Sequence, residues 1–162
     1  MSTEFSPADH HAMAQAIDAS RQALAAGDMP FGATLTDTAG QVLWVARNHQ
    51  VTGKDCMAHA ETVLAQEVQK ALGPQAMQGG TVYASGEPCA MCSGALFWAG
   101  VRRVVYAATT QDIAQTLGGP VLPATAQQVL GSATPAVTVQ GGLQREAAVQ
   151  VLQTKAQQLS QA

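Results

Sequence analysis

The chain has 162 residues, of which 47% are apolar and 12% charged, and its formal net charge at pH 7 is −3. That length suits one well-cored domain, and the apolar fraction excludes an intrinsically disordered chain. Eight Lys and Arg residues against eleven Asp and Glu argue against a nucleic-acid-binding protein, which normally carries a basic stripe.

The first part of the chain is predicted to form a helix, a β-hairpin and a second helix. Ser6 is a candidate N-cap, Pro7 suits the first helical position, and apolar residues recur at helical spacing until Gly27. Two β-rich runs, FGATLTD and QVLWVARN, flank the turn signal TAG. Apolar spacing over 58–72 predicts the second helix, which a Gly-Pro pair ends.

The second part alternates strand and helix. GTVYAS and RRVVYAA are predicted strands, and residues 89–99 between them are predicted to form a helix that ends at Gly100. GGPVLPAT indicates a loop, AVTVQ a strand and residues 143–161 a last helix. This alternation predicts an α/β fold in which part of the sheet is parallel and covered on both faces. We expect one domain over 1–162, with a C-terminal extension of strand plus helix over about 120–162.

His59, Cys89 and Cys92 are candidate zinc ligands. Zinc is commonly held by Cys and His, and a catalytic site uses three protein ligands and leaves one position open for water. The two cysteines have the C-x-x-C spacing of one helical turn. If each ligand group begins a helix, the helix dipole favours the charged thiolates. Two thiolates and a neutral imidazole would balance the charge of one Zn²⁺ per chain.

Glu61 is the candidate catalytic residue, because an offset of two residues from His59 can place its carboxylate near the open zinc position. A carboxylate there can take a proton from water and pass it to a leaving group. A structural zinc site or a redox-active cysteine pair remains the alternative. A structural site would need a fourth ligand, for which Cys56 is the main candidate. The other candidates are His10, His11 and His49.

The combined motif, HAE at 59–61 followed by PCAMC at 88–92, resembles the H-x-E and P-C-x-x-C signature of the zinc-dependent cytidine and deoxycytidylate deaminases. The resemblance runs from about residue 9 to residue 112. It implies a three-layer α/β/α fold around a five-stranded mixed sheet. It also implies hydrolytic removal of an exocyclic amine from a heterocyclic base, with Glu61 as the proton shuttle.

Outside the zinc motif, PFGA at 30–33 and GALFWAGVRRVVYAA at 94–108 are most similar to bacterial guanine deaminases. This likeness implies that five residues contact the base: Phe31, Asn48, Ala60, Trp98 and Asp112. Each polar or aromatic member also has a structural interpretation. Phe31 and Trp98 could be core aromatics. Asn48 could stabilise a turn, and Asp112 could cap a helix that starts at Ile113.

The predicted function is deamination of a free nucleobase, guanine to xanthine and ammonia, in purine metabolism. The alternatives are tRNA adenosine deamination, deamination of another amino-heterocycle (cytosine, a triazine or a pterin), and an inactive deaminase fold that only binds. The tail LQREAAVQVLQTKAQQLSQA departs from the guanine deaminases, whose C-terminal segment brings aromatic residues over the active site, since it contains none. We expect a cytoplasmic homodimer that binds a small purine or related heterocycle, and neither a membrane nor a nucleic acid.

Overall fold

A computed structural model describes residues 4–162, which form a five-stranded sheet with helices on both faces. The strands are β1 (Gly32–Thr36), β2 (Val42–Arg47), β3 (Thr81–Gly86), β4 (Arg103–Ala108) and β5 (Thr138–Gly141). The helices are α1 (Pro7–Ala25), α2 (Ala60–Leu72), α3 (Ala90–Ala99), α4 (Thr110–Leu117), α5 (Ala126–Leu130) and α6 (Arg145–Ser160), and a 3-10 turn spans Pro74–Met77.

The sheet is mixed, in the order β2-β1-β3-β4-β5. β1 is antiparallel to both β2 and β3, whereas β3, β4 and β5 run parallel. The predicted α/β fold with a five-stranded mixed sheet is therefore confirmed. The parallel strands place their carboxyl ends at one edge of the sheet, which is where ligands bind in open α/β sheets.

Successive side chains along each strand point to opposite faces of the sheet and pack into two separate cores. Val82 and Val104 point to the face covered by α2, α3 and α5. Tyr83 and Val105 point to the opposite face, where α1 and α6 pack. This period of two is expected for strands that are buried on both faces, and it produces the three layers.

α1 illustrates how local sequence signals set the helix boundaries. The side chain of Ser6 accepts a hydrogen bond from the backbone N–H of Asp9, and the carboxylate of Asp9 accepts one from the backbone N–H of Ser6. Pro7 occupies the first turn. α1 packs so closely on β1 that a Cβ at Gly32 would lie 2.1 Å from the carbonyl oxygen of Ala16. A larger residue at that position would separate the helix from the sheet.

α4 and α5 lie in a part of the chain where the periodicity predicted no helix before residue 143. Both begin with a reciprocal capping box, formed by Thr109 with Asp112 and by Thr125 with Gln128. The predicted loop over 118–125 lies between them. None of the helices within residues 4–162 is long and apolar enough to cross a membrane.

Candidate metal centre and active site

The candidate metal ligands lie at the N-termini of two helices. His59 is the N-cap of α2 and Cys89 is the N-cap of α3, and neither side chain makes a capping hydrogen bond. Cys92 is buried in the first turn of α3. Both helix N-termini face the carboxyl edge of the parallel strands, where β3 ends at Gly86. The positive ends of the two helix dipoles favour thiolate at this point.

The spacing of the ligand atoms fits a tetrahedral zinc ion. His59 Nδ1 lies 3.5 Å from the sulfur of Cys92 and 3.7 Å from that of Cys89. All three ligand atoms lie within 4.8 Å of one another. Zinc bonds of about 2.3 Å to sulfur and about 2.0 Å to nitrogen, at tetrahedral angles, place sulfur and nitrogen roughly 3.5 Å apart. The cluster can therefore hold one zinc ion, as predicted.

The two thiols titrate very differently because they lie next to each other. A hydrogen bond from Cys92 lowers the pKa of the Cys89 thiol to about 4, and His59 contributes to the same effect. That hydrogen bond to Cys89, together with burial, raises the pKa of Cys92. Without a cation, only one of the two thiols is readily ionised. A bound divalent metal would neutralise both thiolates and so allow both thiols to be ionised together.

Cys56 does not join the cluster. Among residues 4–162, the metal-binding group comprises His59, Cys89 and Cys92, and the exposed Cys56 is not a member. Three ligands leave the fourth zinc position open, which is the arrangement of a catalytic rather than a structural site. The structural-zinc alternative, which needed Cys56 or another histidine, is therefore not supported.

Glu61 lies in the first turn of α2, one residue beyond the start of the helix. Only 5% of its surface is exposed. Burial raises the pKa of its carboxyl group above the usual range, while its neighbours Cys92 and His59 oppose the rise. Glu61 lines the same cavity as His59 and Cys89. Its position thus combines access to a bound molecule with exclusion of bulk water.

A cavity of about 510 Å³ opens above the metal cluster. His59, Glu61 and Cys89 contribute to its polar part, and its walls are mostly apolar. Phe31 forms part of the wall, and its ring packs so closely on Gly86 that a Cβ there would lie 2.8 Å from a ring carbon. None of the described residues lining the cavity is Lys or Arg. This volume lies in the usual range for small-molecule sites, about 300–1,000 Å³.

Asn48 and Gln50 lie after β2, and the structure brings only Gln50 to the cavity wall. Asn48 is buried, and its side chain makes two hydrogen bonds to Gln50. Its oxygen accepts from the backbone N–H of Gln50 at 2.9 Å, and its nitrogen donates to the side-chain oxygen of Gln50 at 2.7 Å. The turn interpretation of Asn48 is therefore seen, and contact between Asn48 and a substrate stays a prediction.

The buried carboxylate of Asp28 anchors this loop. It accepts hydrogen bonds from the backbone N–H groups of Val51 and Thr52, from the hydroxyl of Thr52 and from the guanidinium of Arg47, all at 2.8–2.9 Å. These bonds lower the pKa of Asp28 to about 2, against the opposing effect of its burial. Asp28 therefore determines the path of the chain that carries Gln50 into the cavity.

Residues 6–108 match the family model described as the cytidine and deoxycytidylate deaminase zinc-binding region. The chain belongs to this deaminase family. The match covers both halves of the zinc motif. The protein is thus a deaminase of the nucleobase and nucleotide type, and so a hydrolase with a zinc-binding domain.

Sequence relatives of this deaminase differ in their substrates. It is 35% identical over 144 residues to a probable cytosine deaminase of Schizosaccharomyces pombe, covering 86% of this chain and 87% of the relative. It is 38% identical over 96 residues to a tRNA-specific adenosine deaminase of Bacillus subtilis, covering 59% of each. It is 37% identical over 86 residues to the guanine deaminase of Bacillus subtilis, covering 53% of this chain and 54% of the relative.

A solved structure supports the fold over nearly the whole chain. A protein crystallised in complex with 2,6-diaminopurine superimposes on this deaminase with a TM-score of 0.80. The two chains are 27% identical, and the alignment covers 95% of this chain and 84% of the other. The predicted membership of the cytidine and deoxycytidylate deaminases is confirmed.

Four of the five residues expected to contact the base lie outside the cavity of this deaminase: Asn48, described above, and also Trp98, Ala60 and Asp112. Their contact with a substrate stays a prediction. Trp98 is 84% exposed, in a shallow groove between α2 and α3. Ala60, the first residue of α2, is fully buried in the core. The carboxylate of Asp112 accepts from the backbone N–H of Thr109 and is paired with the guanidinium of Arg145. Asp112 is therefore not the N-cap of a helix that starts at Ile113. It lies inside a helix that begins at Thr110, where it forms a reciprocal capping box with the N-cap residue Thr109.

The sequence did not single out several residues that line the cavity of the deaminase. Gln50 and Glu87 had only their position beside predicted site residues as a signal. Val121 and Leu122 form an apolar pair within a Gly- and Pro-rich loop, which is an unusual place for two exposed aliphatic residues. That pair was the available indication that the loop covers a site.

Proposed function

We propose that this deaminase converts a free purine base, guanine, to xanthine and ammonia. The observation that carries the proposal is the cavity above His59 and Glu61, which is apolar-walled and lacks Lys and Arg in its described lining. A phosphate-bearing substrate would need cationic partners in such a lining. The likeness to a guanine deaminase and to a protein that binds 2,6-diaminopurine supports a purine.

The metal ligands and Glu61 have separate tasks in this proposal. Zinc held by His59, Cys89 and Cys92 supplies, when bound, a water whose pKa is lowered to about 7. Glu61 takes a proton from the attacking water while the water oxygen bonds to the amine-bearing carbon. Glu61 then passes that proton to the ring nitrogen next to this carbon. A second proton, from the hydroxyl group now on that carbon, goes through Glu61 to the amine as the carbon–nitrogen bond breaks, so that the carbon becomes a carbonyl and ammonia leaves.

Phe31 and the aliphatic wall are suited to the flat face of a base. A purine ring offers apolar faces and a polar edge, and an apolar pocket with few polar groups orients such a ligand. The amide of Gln50 offers both a donor and an acceptor to the edge of the ring. Its oxygen accepts a hydrogen bond from the side-chain nitrogen of Asn48, and the backbone N–H of Gln50 donates to the side-chain oxygen of Asn48, so Asn48 orients Gln50.

A substrate panel tests the proposal. Zinc-loaded protein is incubated with guanine, adenine, cytosine and their nucleosides, and released ammonia is measured. We expect the highest kcat/KM for guanine. Release of ammonia from none of the free bases would refute a free-base deaminase. A higher kcat/KM for cytosine would favour a second candidate, because a relative whose length this chain covers to 87% is a probable cytosine deaminase.

The likeness to a tRNA-specific adenosine deaminase gives a third candidate. Binding to tRNA depends on phosphate contacts by Lys and Arg and weakens steeply with salt. The net charge of −3 and the cavity lining favour the free base instead. Conversion of adenosine to inosine in a transcribed tRNA, with no ammonia released from guanine, would overturn our proposal.

We also propose that the protein is a homodimer. The exposed Trp98 on α3, beside the groove between α2 and α3, supports the proposal, since an indole left in water is unfavourable. Light scattering after size exclusion gives the mass. We expect about twice the 16.7 kDa chain mass for the wild type and a smaller mass for Trp98→Arg. A wild-type protein of one chain mass at micromolar concentration would contradict the proposal.

A further inference from the structure

Glu87 makes bonds that the proposed chemistry does not use. Its side chain is buried, with only 8% of the residue exposed, and it lines the cavity two residues before Cys89. One carboxylate oxygen accepts a hydrogen bond from the backbone N–H of Thr110 at 2.8 Å. The other accepts from the backbone N–H of Ala126 at 3.0 Å. A single carboxylate thus joins the first residue of α4 to the first residue of α5.

The segment between α4 and α5 forms the outer wall of the cavity. Residues 118–125 connect α4 to α5, and Gly118, Pro120, Val121 and Leu122 line the cavity. Val121 and Leu122 are also 53% and 58% exposed. Among the described residues, no main-chain hydrogen bond involves residues 119–124. The position of this wall therefore depends on how its two flanking helices are held.

The backbone of Glu87 is itself held to the sheet. Its N–H donates to the carbonyl oxygen of Ala108, at the end of β4, with a distance of 2.8 Å. Pro88 and Cys89 follow directly, so Glu87 and the metal ligand Cys89 belong to one short rigid stretch. α6, by contrast, contributes none of the described residues that line the cavity. The wall and the metal cluster are connected through Glu87.

We propose that Val121 and Leu122 form an aliphatic cover over the substrate ring, and that Glu87 is the positioning residue that sets this cover relative to the metal cluster. The inference rests on the proposed deaminase function. The cover consists of the side chains of Val121 and Leu122. It supplies the apolar contact that the tail, which lacks aromatic residues, does not provide. Glu87 acts on substrate affinity through the cover and does not touch the reacting atoms.

Two variants test the two parts of this inference. Glu87→Gln keeps one acceptor oxygen but places an NH₂ group against the other backbone N–H, so it frees one end of the segment. Val121→Ala/Leu122→Ala truncates the cover and leaves Glu87 intact. We expect each variant to raise KM for guanine about tenfold, with kcat within about threefold of wild type and zinc content unchanged. The matched control is Arg145→Gln, which breaks the ion pair of α4 on its other side.

The combination of the variants separates positioning from a merely structural role. If Glu87 acts through the cover, the triple variant raises KM by clearly less than the product of the two separate effects. Arg145→Gln lowers the melting temperature and leaves KM unchanged. The inference would be overturned if the rise in KM of the triple variant equalled the product of the two separate rises. It would also be overturned if Arg145→Gln raised KM as much as Glu87→Gln does.

Hydrogen exchange gives a second measurement that needs no turnover. In Glu87→Gln, faster exchange is expected for the amides of Thr110 and Ala126 and for segment 118–125, with protection unchanged in β3 and β4. Unchanged exchange over 110–126, or a uniform increase throughout the protein, would overturn the inference. Absence of ammonia release by the wild-type protein would overturn the proposed function alone, because the exchange result still decides whether Glu87 holds the segment.

Discussion

Replacing Asp28 with asparagine is expected to destabilise the loop that leads from β2 to the active site. Asp28 is fully buried, and its two oxygens together accept four hydrogen bonds, including one from Arg47. Asparagine offers one acceptor oxygen, and its NH₂ group would face donors. Some of the four donors therefore lose their partner, and the charge that balances Arg47 is lost.

The size of the expected loss of stability follows from the pKa and the burial of Asp28. The pKa of Asp28 falls from 3.8 to about 2, so its ionised form contributes roughly 2 kcal/mol of stability at neutral pH. Unsatisfied buried donors add to this loss, which makes about 3 kcal/mol the expected decrease in the free energy of unfolding. For a chain of this length, that decrease corresponds to a melting temperature lower by about 6–12 °C.

Urea unfolding, followed by circular dichroism, measures the decrease. The matched control is Asp18→Asn on the exposed face of α1, which should change the free energy of unfolding by less than about 0.5 kcal/mol. Because a depressed pKa stabilises the fold above pH 3.8, this contribution is lost as the pH falls toward 2. The difference in free energy of unfolding between wild type and Asp28→Asn should therefore narrow as the pH falls from about 4 to about 2. A decrease below about 1 kcal/mol at pH 7 would refute the reasoning.

Three further predictions concern the site and the core. Glu61→Gln should retain one zinc per chain by metal analysis but lower kcat by at least about 10²-fold; near-wild-type turnover would rule out the proton shuttle. Cys92→Ser should lose zinc and unfold at a lower temperature, and full zinc content would contradict its role as ligand. Tyr83→Phe removes a 2.6 Å hydrogen bond to Asp9 and should cost about 1.5 kcal/mol in urea unfolding. Burial and Asp9 raise the pKa of Tyr83 to about 12, so wild-type stability should fall as the pH rises from 10 to 12; an equal fall in the Phe variant would contradict this cause.

The metal cluster was predictable because its signals are local. C-x-x-C places two sulfurs on one helical turn, and both ligand stretches precede recognisable helices. Only one long-range step was needed, the meeting of His59 with the cysteines, and the deaminase motif supplied it. The main helices and strands were predictable for a similar reason, since apolar residues recur with periods of 3.6 and 2 within contiguous stretches of the sequence.

The position of Trp98 could not be predicted in this way. α3 reads AMCSGALFWA, which is apolar on every side, so the sequence does not indicate which face packs on the sheet. The structure buries Leu96 and leaves Trp98 in solvent. The short helix α5 was missed, and α4 was considered only as a helix that Asp112 could cap, because five to eight residues carry too little periodicity. Their T-x-x-D and T-x-x-Q capping boxes were nevertheless present.

The sequence by itself determined the fold class, the deaminase family and the ligand set of His59, Cys89 and Cys92, because short-range spacing and residue chemistry suffice for these. Only the tertiary structure decided which side chains line the cavity. Of the five residues expected to contact the base, only Phe31 lies in the cavity wall, which Gln50, Glu87, Val121 and Leu122 also line. The physical reason is that a cavity wall is assembled from loops distant in sequence, and the path of each loop depends on buried hydrogen bonds such as those of Asp28 and Glu87.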